Sequence, residues 1–153
     1  MQEDTMTLKD RIANDLKEAM KAGDALRKDT LRSAISAFSY RRIDAGRELD
    51  ESEQVDAIRK LVKQRSDSIA EYERGKRPDL VERERLEREI LAAYLPAGKS
   101  EDELRAIVRA AIAPLEPAER KEGALMKRLM PALRADADGS VIRRLVLEEL
   151  AAG

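Results

Sequence analysis

The chain has 153 residues, of which 40% are charged, yet its formal net charge is only −1, so opposite signs are interleaved rather than segregated. It contains neither Cys nor His, which excludes disulfides, thiolate nucleophiles, Cys/His metal sites and imidazole acid–base chemistry. Aromatics make up 3% (Phe38, Tyr40, Tyr72 and Tyr94), too few for a platform on which single-stranded bases stack; the abundance of Ala, Leu, Glu, Arg and Lys is that of a helical protein.

Taken in chain order, Thr7 caps a first helix whose apolar stripe is Leu8, Ile12, Leu16, Ala19 and Met20, closed by Gly23. A second helix starts at Asp24, buries Leu31, Ile35 and Phe38, and stops at Gly46. Asp50 with Glu53 has capping-box spacing and opens a third helix, to about residue 74, stopped by Gly75. Asp79 with Glu82 repeats that spacing and opens a fourth, carrying Leu86, Ile90, Leu91 and Tyr94; Leu95-Pro96 ends it, because the residue before Pro resists the α region.

Pro96-Ala97-Gly98-Lys99 reads as a linker. Beyond it, Ser100 with Glu103 caps a fifth helix bearing Leu104, Ile107, Val108, Ala111 and Ile112 on one face, stopped by Pro114 and Pro117. A sixth carries Leu125, Met126, Leu129, Met130 and Leu133 and is kinked by Pro131. Asp138-Gly139 opens a last helix with Val141, Ile142, Leu145, Val146 and Leu150. No stretch alternates with period two, so no strand is expected. The expectation is an all-α protein: a bundle of about four helices over residues 1–96, then a smaller three-helix unit over 99–153. No apolar leader opens the chain and no segment approaches the roughly 18 apolar residues of a membrane span. A cytoplasmic protein without a membrane contact is the expectation.

The parts a stand-alone catalyst needs are missing. There is no Walker-type phosphate loop, no Gly-x-Gly-x-x-Gly and no nucleophile elbow. Paired carboxylates such as Glu82/Glu84 and Glu148/Glu149 read as solvated helix faces, and a di-iron bundle would need His. No catalytic residue, metal or cofactor is assigned.

Two clusters remain. In the third helix the apolar positions Val55, Ile58, Val62, Ile69 and Tyr72 leave one seam position to Arg65, inside Lys63-Gln64-Arg65-x-Asp67-Ser68, with Arg77 and Asp79 downstream. A guanidinium there either pairs with a carboxylate on a facing helix while its stem covers apolar surface, or forms an anion or partner site. A fully buried pair would make Arg65→Ala cost about 3–5 kcal/mol. The second cluster is Lys127, Arg128, Arg134, Arg143 and Arg144 around the turn from Arg134 to Gly139, where basic side chains beside a helix N-terminus suit a phosphate grip. The competing reading is a polar face laced with Glu148 and Glu149.

These residues carry a resemblance. Lys63-Gln64-Arg65-x-Asp67-Ser68, Tyr72, Gly75-x-Arg77-x-Asp79-Leu80, Glu89-Ile90-Leu91 and Tyr94-Leu95-Pro96, with Gly123-x-x-Met126, Met130-Pro131 and Ala137-Asp138-Gly139, resemble the YqeY-like family over roughly residues 7–151. The resemblance implies an all-helical protein whose two parts match the tail of the GatB component of the glutamine-dependent tRNA amidotransferase, which helps hold tRNA. It also implies the family's label, carbon–nitrogen ligase activity with glutamine as amido-nitrogen donor. The partners so implied are tRNA or a tRNA-modifying or tRNA-charging enzyme, with the C-terminal unit as the recognition module.

The sequence departs from the family pattern where a Gly and a cation precede the last helix: these places hold Ala135 and Asp136. A Lys of the pattern is replaced at Ala124. Asp136, read as lying in an exposed turn, is expected to repel phosphate, so that Asp136→Arg would tighten RNA binding.

Overall fold

A computed structural model describes residues 6–153; the first five, where the N-terminal bundle was expected to begin, lie outside the described residues. Every regular element in the described part is helical, so the protein is all-α. The residues fall into two compact units, divided between Leu95 and Pro96.

The first unit contains α1 (Leu8–Ala22), α2 (Ala25–Ala45), α3 (Glu51–Arg74) and α4 (Pro78–Ala92). Three of the four begin at a cap readable from sequence. Thr7, Asp24 and Asp50 each accept a hydrogen bond from a backbone N–H three residues on, and Glu53 completes the Asp50 capping box. Gly23 and Gly46 end α1 and α2 in the left-handed region, at φ 70° and 69°. Gly75 follows α3 at an ordinary φ of −81°, and Lys76 takes the left-handed turn instead, at φ 54°.

The fourth helix departs from expectation at both ends. Pro78 starts it, one residue ahead of Asp79, because a proline at the first helical position has the right φ and lacks only an N–H that would be unbonded anyway. Asp79 is therefore a first-turn residue, and Glu82 pairs with Arg85 at 2.7 Å instead of closing a capping box. The helix ends at Ala92, followed by tight turns from Tyr94 and Leu95 to Leu91 and Ala92.

In this unit α1 packs mainly on α2 and α3 mainly on α4, with α2 also touching α3 and α4. Ile12, Leu31, Phe38, Ile58 and Leu91 are fully enclosed, whereas Met20, expected in the stripe of α1, is 51% exposed. One buried polar group ties the starts of α1 and α3 together: Gln54 accepts from the Lys9 N–H at 3.0 Å and donates to the Leu49 carbonyl at 3.1 Å. Buried Tyr94 donates to Asp15 on α1 while Arg11 stands 5.5 Å from its ring centroid. Burial, followed by that bond to Asp15, pushes the phenol above its usual range.

The second unit contains α5 (Glu101–Ile112), a 3-10 turn (Pro117–Glu119), α6 (Glu122–Leu133) and α7 (Gly139–Ala152). Ser100 and Glu103 form the capping box of α5. The core is Leu104, Val108, Ile112, Leu125, Leu129, Leu133, Ala137, Ile142, Leu145 and Val146, and α7 lies against both other helices. Pro131 sits inside α6 without ending it.

The stretch expected as a linker belongs to this unit. Gly98 lies so close to the backbone of Asp136 that an added Cβ would stand 2.5 Å from its carbonyl oxygen, and Lys99 pairs with the Asp136 carboxylate at 3.0 Å. Backbone contact at that range requires glycine.

Candidate nucleic-acid interface

The first cluster lies on α3 from Lys63 to Ser68, with Arg77 and Asp79 at the start of α4. Arg65 turns inward: its Nε lies 3.5 Å from Glu87 Oε2 on α4, and its Nη2 donates to Ser33 Oγ on α2 at 3.4 Å. Both side chains of the pair are more than four-fifths buried, yet the Arg65 Nε makes no hydrogen bond, so the ion pair is long and poorly aligned. Glu87 has a second partner, Arg83, at 3.3 Å. Nearby Glu84 is pushed up by burial and by the Glu87 charge. Ser66 accepts from Arg88 at 3.1 Å, which adds a second link between α3 and α4.

The other motif residues are placed differently. Lys63, Gln64 and Asp67 are exposed, and Ser68 is half-buried. Arg77 approaches Asp79 at 3.4 Å and holds that carboxyl below its ordinary range. Arg77 also lines an open groove of about 430 Å³ with Tyr72, Lys76, Pro78 and Val81, but Glu73 and Glu82 share its wall. The structure therefore does not gather the motif into one site.

The second cluster divides more sharply. Arg143 on α7 bonds to Glu122 on α6, and Arg144 bonds to Glu101 on α5 and, at 3.1 Å, to Glu148. Both guanidiniums bridge helices. Arg134, at the end of α6, is half-buried and engaged. At the start of α7 the N-cap is Asp138, so a carboxylate already sits at the positive end of that helix where a phosphate would bind. Asp136 is not in a free turn: its side chain is 18% exposed and paired with Lys99.

Lys127 and Arg128 are different. Both are exposed on α6, and neither has an ion-pair partner among the described residues. Lys121, the N-cap of α6, shares these properties and was missed in the sequence because it lies before the apolar stripe begins.

Sequence reading placed Glu148 and Glu149 on a polar face but missed what holds them. Arg105 on α5 donates to Glu149 at 2.7 Å and to Glu148 at 2.8 Å, and Arg109 also binds Glu149. Glu149 is buried with its charge. Arg109 first, then Arg105, hold the Glu149 carboxyl below its ordinary range, and Arg105 and Arg144 do the same for Glu148. The four-residue spacing of Arg105 and Arg109 puts both on one face of α5, which is the signal that could have found them.

No group of three or more acidic, His or Cys side chains arranged to hold a metal occurs among the described residues, and none of their helices is long and apolar enough to cross a membrane.

The comparison with known families is decisive at this point: the model described as "Yqey-like protein" matches residues 9–150. The chain belongs to the YqeY-like family. It is 49% identical over 90 residues to the "Altered inheritance of mitochondria protein 41, mitochondrial" of Lachancea thermotolerans, covering 56% of this chain and 48% of the relative. The protein of the same name from Kluyveromyces lactis is 44% identical over 95 residues, covering 60% and 51%. That from Saccharomyces cerevisiae strain YJM789 is 40% identical over 85 residues, covering 55% and 46%. This YqeY-like chain thus spans about half the length of the curated relatives it matches. Their names correct the expectation of a cytoplasmic protein: the matched relatives are mitochondrial. The lack of an apolar leader and of a span-length apolar segment, on which that expectation rested, does not specify a compartment.

Proposed function

We propose that this YqeY-like protein is a non-catalytic helical adaptor that binds tRNA, or a tRNA enzyme carrying tRNA, through its C-terminal unit. The observation that carries the reading is the position of Lys127 and Arg128, two exposed cations without a carboxylate partner among the described residues, on a unit whose other arginines largely bridge helices. In a chain with 30 basic and 31 acidic residues, local cations left uncompensated are what attract a polyanion. The family's resemblance to the tail of the amidotransferase GatB component supports the choice of tRNA. The core of α5, α6 and α7 supplies the scaffold that carries these cations.

The test is a filter-binding titration with total cellular tRNA across salt concentrations. Two or three phosphate contacts give a linear log–log dependence with a slope of magnitude about 1.4–2.7. Binding that is absent or independent of salt would remove the RNA reading and leave a protein-binding module. Glutamine or ATP turnover by the isolated chain, surviving removal of contaminating enzymes, would instead favour a component of a carbon–nitrogen ligase.

A further inference from the structure

The solvent face of α6 sets two cations among small side chains. Gly123, Ala124, Lys127, Arg128, Pro131 and Ala132 are all exposed and recur at the three- and four-residue spacing of a single helical face. Apart from the two cations, every member is small or ring-closed, and none is acidic. Lys121 extends the face at its N-terminal end. Nothing stands within 4 Å of a Cβ built on Gly123, so the surface there is open. The nearest acid in sequence, Glu122, is half-buried and bonded to Arg143.

We infer that this face docks on the phosphate backbone of an RNA duplex stem, a reading that rests on the tRNA-binding function proposed above. Two observations select a stem over a single strand. From Pro96 to Gly153 the chain has no Phe, Tyr or Trp, so the unit has no ring on which an unpaired base can stack. The small side chains around Lys127 and Arg128 let the helix approach a broad surface closely, as contact with a shallow groove and its flanking phosphates requires. Lys121 and Arg128 are seven residues apart, or about 10 Å along the axis. That separation is comparable to the span of a few consecutive phosphates along one strand of a duplex. The contacts position the stem without reading bases, so discrimination between tRNA species must come from shape or from a protein partner.

The test uses the full chain with three probes: total tRNA, a perfect RNA hairpin, and a poly-uridine strand with as many phosphates as the hairpin. The hairpin is expected to bind about ten-fold or more tighter than the single strand, since no stacking compensates the latter. Changing Lys121, Lys127 and Arg128 together to Ala should reduce the magnitude of the hairpin salt slope by about 2–3. Ala124→Lys, which adds a cation to the same exposed face, should raise it by about 0.7–0.9. This gain does not depend on damaging the protein, and circular dichroism of each variant checks its helical content. Equal or tighter binding of poly-uridine would overturn the duplex assignment. Hairpin binding unchanged in the triple variant, or unimproved in Ala124→Lys, would overturn the face while leaving the tRNA reading intact. Failure of the wild type to bind any of the probes would remove both.

Discussion

Arg65 shows why burial alone does not fix what an ion pair contributes. Its Nε stands 3.5 Å from Glu87 and makes no hydrogen bond, while Glu87 keeps Arg83 as a second partner. Arg65→Ala therefore leaves no orphaned carboxylate, and its expected cost falls from the buried-pair limit to about 1–3 kcal/mol, mostly lost stem packing and the weak bond to Ser33. Arg65→Met keeps much of that packing and removes an unsatisfied donor, so urea unfolding should place it within about 1 kcal/mol of wild type. A loss of about 3–5 kcal/mol in the Met variant would show that the charge, rather than the stem, holds α2, α3 and α4 together. Asp136 reverses its sequence-based expectation in the same way. Because it pairs with Lys99, Asp136→Arg breaks the pair and sets two cations side by side, lowering stability by about 1 kcal/mol. A thermal midpoint equal to wild type would contradict this.

At the scale of elements, helix starts were legible wherever a short side chain caps its own backbone, as at Thr7, Asp24, Asp50 and Ser100. The start of α4 was misread because Asp79 and Glu82 imitate a capping box while Pro78 sets the first turn. The spacing of Arg105 and Arg109 marks one face of α5, but which carboxylates on α7 that face meets depends on contacts between distant segments and is not written in the local sequence. The network joining α5 to α7 makes an acid-sensitive joint. Arg105, Arg109 and Arg144 hold Glu148 and Glu149 below the ordinary carboxyl range, so the unfolded chain binds their protons more readily than the folded one. The stabilisation is present above the unfolded value, about 4.3, and is lost as pH falls through the depressed folded values. Amide hydrogen exchange should show α5 and α7 losing protection in that window, and Glu149→Gln should flatten the Glu149 part of the loss. Protection of α5 and α7 that is unchanged well below pH 4 would count against the network.

For the whole molecule, the all-helical class and the family were legible because apolar periodicity and contiguous motifs survive in a linear string. The division of labour among cations was not, because it depends on which carboxylates the fold brings alongside them. Five basic residues looked equivalent in sequence, but the fold commits Arg143 and Arg144 to neighbouring helices and leaves Lys127 and Arg128 exposed without a carboxylate partner among the described residues. The most direct test of that claim is a paired measurement of tRNA Kd against salt and of thermal stability for two double variants. Lys127→Ala with Arg128→Ala should cut the magnitude of the salt slope by about 1.4–1.8 at an unchanged thermal midpoint. Arg143→Ala with Arg144→Ala should lower the midpoint and leave the slope near wild type. The reverse pattern, with binding lost at Arg143 and Arg144 and stability lost at Lys127 and Arg128, would contradict the account.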